Sequence, residues 1–120
     1  MLFRSYTEWL MAKNGFGGPR VRLERQKMVL RMCANTILDH DIHAGTMDEK
    51  TALALMTKDA FQEEGEAVGK WKRARLTSAQ LTTYFYGFTE MMKLRENAEK
   101  QPGFKDRDYH DRLQIGRAHV

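Results

Sequence analysis

The chain has 120 residues, enough for one domain or for part of one. Its 20 basic and 16 acidic residues are interleaved, and the net charge of +4 is too small to indicate a nucleic-acid-binding protein. The single cysteine, Cys33, excludes an internal disulfide, and no apolar run approaches the roughly 20 residues of a membrane span. We therefore expect no nucleic-acid partner and no membrane-spanning helix.

The first half of the sequence predicts three helices. An amphipathic segment over residues 3–14 ends at a glycine- and proline-rich breaker cluster over residues 15–19. A long helix is predicted over residues 20–43, followed by a left-handed cap at Gly45. Its expected inward-facing positions are Leu23, Leu30, Ala34, Ile37 and Leu38. Residues 46–49 read T-M-D-E, a capping-box pattern that predicts the start of a third helix.

The second half predicts further helices and shows no strand pattern. One helix is expected over residues 61–75, and Thr77 or Ser78 is expected to cap the next, which runs to about residue 100. Asp106 is expected to cap a short last helix around residues 109–113. The predicted fold class is therefore all-α, a bundle of five to six helices.

One glycine lies inside the helix predicted to run to residue 100. Gly87 comes three residues after Tyr84, in the stretch Y-F-Y-G-F. A glycine in a helix interior costs about 0.5–1 kcal/mol relative to alanine, so we expect another backbone or a ligand to approach closely there. Because Tyr84 would point its phenol toward that gap, the pair indicates a functional site, or half of one.

The last six residues read I-G-R-A-H-V and can be back-translated as a common sequencing adapter. On this interpretation the native sequence ends near residue 114, and residues 115–120 are a non-native tail without a functional role. The alternative is that these six residues belong to the protein itself.

Four short motifs occur in an order that resembles one bacterial family. They are Y-T-E-W with G-F-G (residues 6–17), L-D-H-D-I-H (38–43), Q-L-T-T-Y-F-Y-G (80–87) and Y-H-D-R-L (109–113). In this order they resemble the C-terminal part of the domain-of-unknown-function 885 family, whose members resemble zinc metallopeptidases of the zincin type. The resemblance covers residues 1–114 and implies that they form the C-terminal helical region of a larger, zincin-like catalytic domain, truncated here.

The function implied by this resemblance is the zinc-dependent hydrolysis of peptide or amide bonds. The family's metal is expected on an H-E-x-x-x-G-H-H stretch and on the glutamate of an E-G-W motif, and this chain contains neither. The chain is thus predicted to be the substrate-facing part of a zinc peptidase, inactive alone. The resemblance implies no metal ligand in this chain, zinc in the full-length protein and a peptide-like substrate.

Tyr84 is the first catalytic residue that the resemblance implies. It would donate a hydrogen bond to the oxyanion of the transition state, while Gly87 would let the substrate or another helix approach. The alternative is that Tyr84 is a core aromatic residue with a paired hydroxyl.

His43, one turn after Asp39 on the same helix, is the second residue that we expect to be catalytic. The carboxylate would hold the imidazole, and the other ring nitrogen would donate to the substrate. Two alternatives stay open: His43 contacts its own helix C-terminus, or Asp39, His40 and His43 form a metal site. On the catalytic interpretation we expect Tyr84 and His43 to face one groove.

Arg73 is the substrate-binding residue that the resemblance implies, eleven residues before Tyr84. Its guanidinium would bind a substrate carboxylate through two parallel hydrogen bonds. The alternative is that the basic run over residues 70–75 is solvated surface. His110 and Asp111 match the terminal motif, and we expect them to pair helices.

Two other classes of function are compatible with parts of the sequence. An all-α interaction or regulatory module without catalysis would use some of the eight methionines to line an adaptable groove. A nucleic-acid binder would use residues 70–75, but the acidic residues Glu63, Glu64 and Glu66 lie close by and disfavour it.

Overall fold

The computed structural model describes residues 2–115, which form six α-helices and no strand. The helices are α1 (Leu2–Lys13), α2 (Gly18–His43), α3 (Glu49–Ala54), α4 (Glu64–Leu76), α5 (Thr82–Glu99) and α6 (Asp106–Ile115). A π-helical turn, Leu55–Asp59, extends α3. The all-α prediction is confirmed, and no helix of the described part is long and apolar enough to cross a membrane. Of the predicted non-native tail, only Ile115 lies within the described residues.

Helix α2 ends in a Schellman motif, as the glycine that follows it predicts. Gly45 has a φ of 73°, and its N–H donates to the carbonyl of Ile42 at 3.1 Å. The N–H of Thr46 donates to the carbonyl of Asp41 at 2.9 Å. These two bonds satisfy carbonyls that the last helical turn leaves unpaired, so the predicted left-handed cap is confirmed.

Helix α3 begins slightly later than the capping-box pattern indicates. The cap is Asp48, whose carboxylate accepts a hydrogen bond from the N–H of Thr51 at 2.8 Å. The hydrogen bonds with Thr51 lower the pKa of the Asp48 carboxyl below its ordinary value. Thr46 does not cap α3, because it belongs to the motif that ends α2.

Helices α4 and α5 also begin later than predicted. Phe61 has a left-handed φ of 53°, which ends the π-helical turn, and α4 begins only at Glu64. Neither Thr77 nor Ser78 caps α5, which begins at Thr82. The hydroxyl of Thr77 instead donates to the carbonyl of Arg73 at 3.2 Å, at the end of α4.

The main hydrophobic core lies between α2, α3 and α4. Its buried members are Leu38, Ala52, Met56, Ala67, Trp71, Ala74 and Leu81. Three of them are alanines on α3 and α4, and their small size lets these two helices approach closely. Leu81 comes directly before α5, so the start of α5 is held against this core.

Three of the five positions expected to face inward on α2 are exposed. Leu23, Leu30 and Ile37 are 62%, 41% and 45% exposed, whereas Ala34 and Leu38 are buried. The three exposed residues recur every seven positions and so lie along one side of the helix. Helix α2 packs against α1, α4 and α5 through its other faces. The prediction was wrong for these three because periodicity identifies an apolar face, not whether another element covers it.

A buried arginine joins α1, α5 and α6. The side chain of Arg95 is only 3% exposed, and it donates to the Tyr6 hydroxyl at 2.7 Å and the Glu99 carboxylate at 2.8 Å. It also donates to the carboxylate of Asp106. Burial by itself would lower the pKa of Arg95, but the hydrogen bonds with Tyr6, Asp106 and Glu99 outweigh it and raise the pKa. The guanidinium is therefore charged and links three helices.

Aromatic rings surround the same guanidinium. The ring centroids of Trp9, Phe104 and Tyr109 lie 5.4, 5.5 and 5.8 Å from its central carbon. At these distances the ring faces attract the cation, so the apolar surroundings of Arg95 also stabilise its charge.

The last helix docks through residues that the sequence had marked. The Nε2 atom of His110 lies 2.8 Å from the hydroxyl of Tyr6, so the expected helix-pairing role of His110 is confirmed. Asp111 is exposed. Asp106 does not cap α6 as predicted: it is the first helical residue and pairs with Arg95.

We predict that Arg95→Met lowers the free energy of unfolding by about 3 kcal/mol, because it removes one side of a buried charged network. This is the lower end of the usual range, since Glu99 and Asp106 reach solvent. Urea unfolding would measure it. The control is Arg112→Met on α6, an exposed residue without an ion pair to any described residue, expected within about 0.5 kcal/mol of the parent. A loss under about 1 kcal/mol for Arg95→Met would contradict the linking role.

Candidate functional site

A groove of about 490 Å³ opens between α1, α2, α4 and α5. Its charged side chains are Arg4, Glu8, Arg31, Glu66, Lys70 and Arg73. Four of these are cationic and two are anionic, so the groove has an excess of positive charge. Such a surface suits a ligand that carries a negative group.

Tyr84 lines this groove from the first turn of α5. Its side chain is half-buried, and its hydroxyl forms no hydrogen bond with any described residue. The alternative of a core tyrosine with a paired hydroxyl therefore does not fit its surroundings. An unpaired phenol on a groove wall can donate a hydrogen bond to a bound molecule.

Arg73 lines the same groove from α4. Arg73 is exposed, and its guanidinium has no ion-pair partner within residues 2–115. Arg4, by contrast, is held by Glu8 at 3.1 Å. Arg73 thus presents a free cation on the groove wall, on the same groove as the phenol of Tyr84.

One carboxylate in the groove serves two cations. Glu66 lies 3.4 Å from Arg31 and 3.6 Å from Lys70, and Lys70 also donates to the amide oxygen of Gln62. Burial lowers the pKa of Lys70, and the nearby charge of Glu66 partly offsets this effect. From the sequence we named Arg73 but not Glu66 or Lys70 as site residues, although the three are spaced by four and three residues, as on one helix face.

The start of α5 is held by the buried carboxylate of Asp39 on α2. One carboxylate oxygen accepts from the backbone N–H of Ala79 at 3.2 Å. The other accepts from the backbone N–H and the hydroxyl of Thr82 at 3.1 and 3.0 Å. Ala79 has a left-handed φ of 59°, which is strained for a residue with a side chain, and this hydrogen bond helps to hold it. Asp39 thereby positions the first turn of α5 and with it Tyr84.

His43 lies beside Asp39 but does not line the groove. Its Nδ1 lies 2.6 Å from the backbone carbonyl of Asp39 and 3.3 Å from the carboxylate. A carbonyl oxygen can only accept, so Nδ1 carries the proton and the Nε2 of a neutral ring is an acceptor. The contact of His43 with its own helix end is thus present, and the expectation of one groove shared with Tyr84 was wrong.

Gly87 is buried in α5 and is not among the residues that line the groove. Helix α5 packs against α1 and α2. Of the two approaches expected at Gly87, that of a neighbouring helix fits this position and that of a substrate does not.

The metal-site alternative finds no support in the described residues. The Nδ1 of His40 lies 2.7 Å from the carboxylate of Asp41, and the carboxylate of Asp39 accepts hydrogen bonds from the start of α5. Within residues 2–115 no three histidine, cysteine, aspartate or glutamate side chains are grouped so that they could hold a metal ion. The donor set of this part of the chain therefore does not fit a zinc centre, which needs three protein ligands.

These features define an all-helical protein with a cation-rich groove. The chain belongs to the family DUF885, bacterial proteins of unknown function, whose model matches residues 5–118. It is also similar to the solved structure of a "putative lipoprotein of unknown function" from Shewanella oneidensis, with 42% identity and a TM-score of 0.81. That match covers 88% of this chain and 20% of the other, so this chain spans about a fifth of the length of the solved structure. None of the curated proteins matches the chain.

We predict that Asp39→Ala lowers the free energy of unfolding by about 2 kcal/mol, because it removes a charged acceptor of three hydrogen bonds. Backbone amides of residues 79–84 should exchange faster with solvent. The matched control is Asp41→Ala, which removes a carboxylate that binds only the exposed His40, and it should leave that exchange unchanged. Equal exchange in both variants would show that Asp39 does not hold the start of α5.

Proposed function

We propose that the groove is one wall of the active site of a larger hydrolase that cleaves peptide bonds or related amides. The observation that carries this proposal is that Tyr84 and Arg73 line one groove, while neither side chain bonds to another described residue. A neutral donor and a cation suit a substrate that ends in a carboxylate and develops an oxyanion during reaction.

The chemistry assigned to the two residues follows from amide hydrolysis. Attack on the amide carbon turns the carbonyl oxygen into an oxyanion, to which the O–H of Tyr84 would donate. Arg73 would bind the terminal carboxylate of the substrate through two parallel N–H···O bonds. Holding that end fixes the position of the scissile bond relative to Tyr84.

Other parts of a longer protein would supply what the described residues lack. A zinc ion, the attacking water and the general base would lie outside this sequence, since the match covers only 20% of the similar solved structure. The radius of gyration of 16.9 Å exceeds the roughly 14 Å of a compact chain of this length. This open shape and the exposed apolar side of α2 are compatible with a part that packs into a larger fold.

His43 would have a secondary role in this site. Asp39 contacts both His43 and the first turn of α5, which carries Tyr84, so the same carboxylate positions both candidate residues. Because Nδ1 donates to the carbonyl of Asp39, the Nε2 of a neutral ring would accept a hydrogen bond from a substrate N–H, the reverse of the donor role expected from the sequence. Gly87 would serve helix packing.

An all-α interaction module is the second candidate, because Met28 and Met32 also line the groove. Met28 is 44% exposed and would suit an apolar side chain of a partner. The excess of cations in the groove favours an anionic substrate instead. A partner helix would bind equally well with and without a terminal carboxylate, whereas the proposed substrate would not.

We predict that Tyr84→Phe lowers kcat by about 100- to 1000-fold in an intact family member that carries this residue, because one oxyanion donor is lost. KM and zinc content should stay unchanged. The matched control is Tyr86→Phe, a tyrosine two residues away that is 65% exposed and outside the groove. An unchanged kcat for Tyr84→Phe would contradict the catalytic role.

We predict that Arg73→Lys raises KM about tenfold for peptides with a free terminal carboxylate, because an ammonium cannot form the two-bond contact. Peptides with an amidated C-terminus should show no change. Arg75→Lys is the control, since Arg75 lies outside the groove and stacks on Trp71. If KM rose equally for both classes of peptide, Arg73 would not be the carboxylate-binding residue.

A further inference from the structure

A second, smaller pocket of about 250 Å³ lies between α1 and α2. Its walls are Trp9, Ala12, Lys13, Arg22, Arg25 and Gln26. Three of these side chains are cationic and none is anionic, and none of them lines the groove of Tyr84. The pocket is therefore a separate concentration of positive charge.

Arg25 is the buried member of this set. The residue is only 8% exposed, yet its Nε and one terminal nitrogen are buried without any hydrogen-bond partner. Within residues 2–115 its guanidinium forms no ion pair, unlike Arg95, which three acceptors hold. Burial lowers the pKa of Arg25, and only the more distant charge of Glu8 opposes this.

The guanidinium of Arg25 contacts the ring of Phe88, and this contact provides no acceptor for its N–H groups. The guanidinium lies over the ring of Phe88, with its central carbon 4.6 Å from the centroid. A ring below the guanidinium covers its face, whereas its N–H groups point outward in the plane and need acceptors there. A buried donor without an acceptor is costly, so this site is one acceptor group short.

We propose that this pocket binds a small oxyanion, either a phosphate or a carboxylate group, with Arg25 as the central ligand. The two unpaired nitrogens of Arg25 are closed off from solvent, so the oxyanion reaches them as the side chains of the pocket wall shift. The planar guanidinium then matches two oxygens of such a group, and Arg22 and Lys13 add positive charge at the walls. Lys13 stays in place through its contacts with Glu99 at 3.7 Å and with the Trp9 ring at 5.0 Å. The volume of about 250 Å³ accommodates one such group. The site does not depend on the proposed hydrolase function.

Thermal unfolding of the 120-residue chain tests this site. Sodium phosphate and sodium acetate would each be titrated against sodium chloride at constant ionic strength, so that general screening cancels. A bound anion should raise Tm by several degrees in a saturable way, because it binds the folded state alone. A rise with phosphate only identifies a phosphate site, and a rise with acetate only identifies a carboxylate site.

Variants assign any such rise to the pocket. Arg25→Gln should abolish the rise and leave the Tm in chloride unchanged or higher, because it removes a buried charge without a partner. Arg22→Gln, at an exposed wall residue, should weaken anion binding several-fold and keeps the test valid if Arg25→Gln does not fold. Arg20→Gln is the control, since it removes the same charge from an exposed position of α2 outside the pocket. The proposal would be overturned if neither anion raised Tm more than chloride does, or if the rise in Tm were equal in Arg25→Gln and the parent.

Discussion

The geometry of the groove depends on the buried carboxylate of Asp39. The carboxylate of Asp39 accepts a hydrogen bond from the backbone N–H of Thr82 at the N-terminus of α5, where the helix dipole favours a negative charge. It also accepts the N–H of the strained Ala79 in the preceding connection. Tyr84 lies two residues after Thr82. The position of its phenol therefore depends on Asp39, which lies 43 residues before Thr82 in the sequence.

A buried cation holds the other end of the same helix. Arg95 lies one turn before the end of α5 and binds acceptors from α1 and α6. An anion at the start and a cation near the end both match the helix dipole. Helix α5 is thus tied to other helices by one charge near each end: Asp39 of α2 binds its start, and Arg95 near its end binds Tyr6 of α1 and Asp106 of α6.

Local signals predicted what local contacts determine. The all-α class and the glycine that ends α2 were predicted correctly, because helix formation and a helix end are set within a few residues. The covered face of α2 was not, since it depends on which other elements pack against the helix. The cap of α5 was not, since Asp39 supplies it from another helix. In the site, Tyr84 and Arg73 do share a groove, whereas His43 lies outside it. The contact of His43 with its own helix end, one of the alternatives that the sequence left open, is present, because Nδ1 lies 2.6 Å from the backbone carbonyl of Asp39.

The exposed side of α2 restricts the shape of anything that covers it. Leu23, Leu30 and Ile37 span 14 residues, which is about 21 Å along the helix at 1.5 Å per residue. Because the residues drift by only about 20° per seven positions, they mark an almost straight line. A covering element must therefore run nearly parallel to α2 over four turns, as a helix can, while a single crossing contact would reach only one of the three side chains.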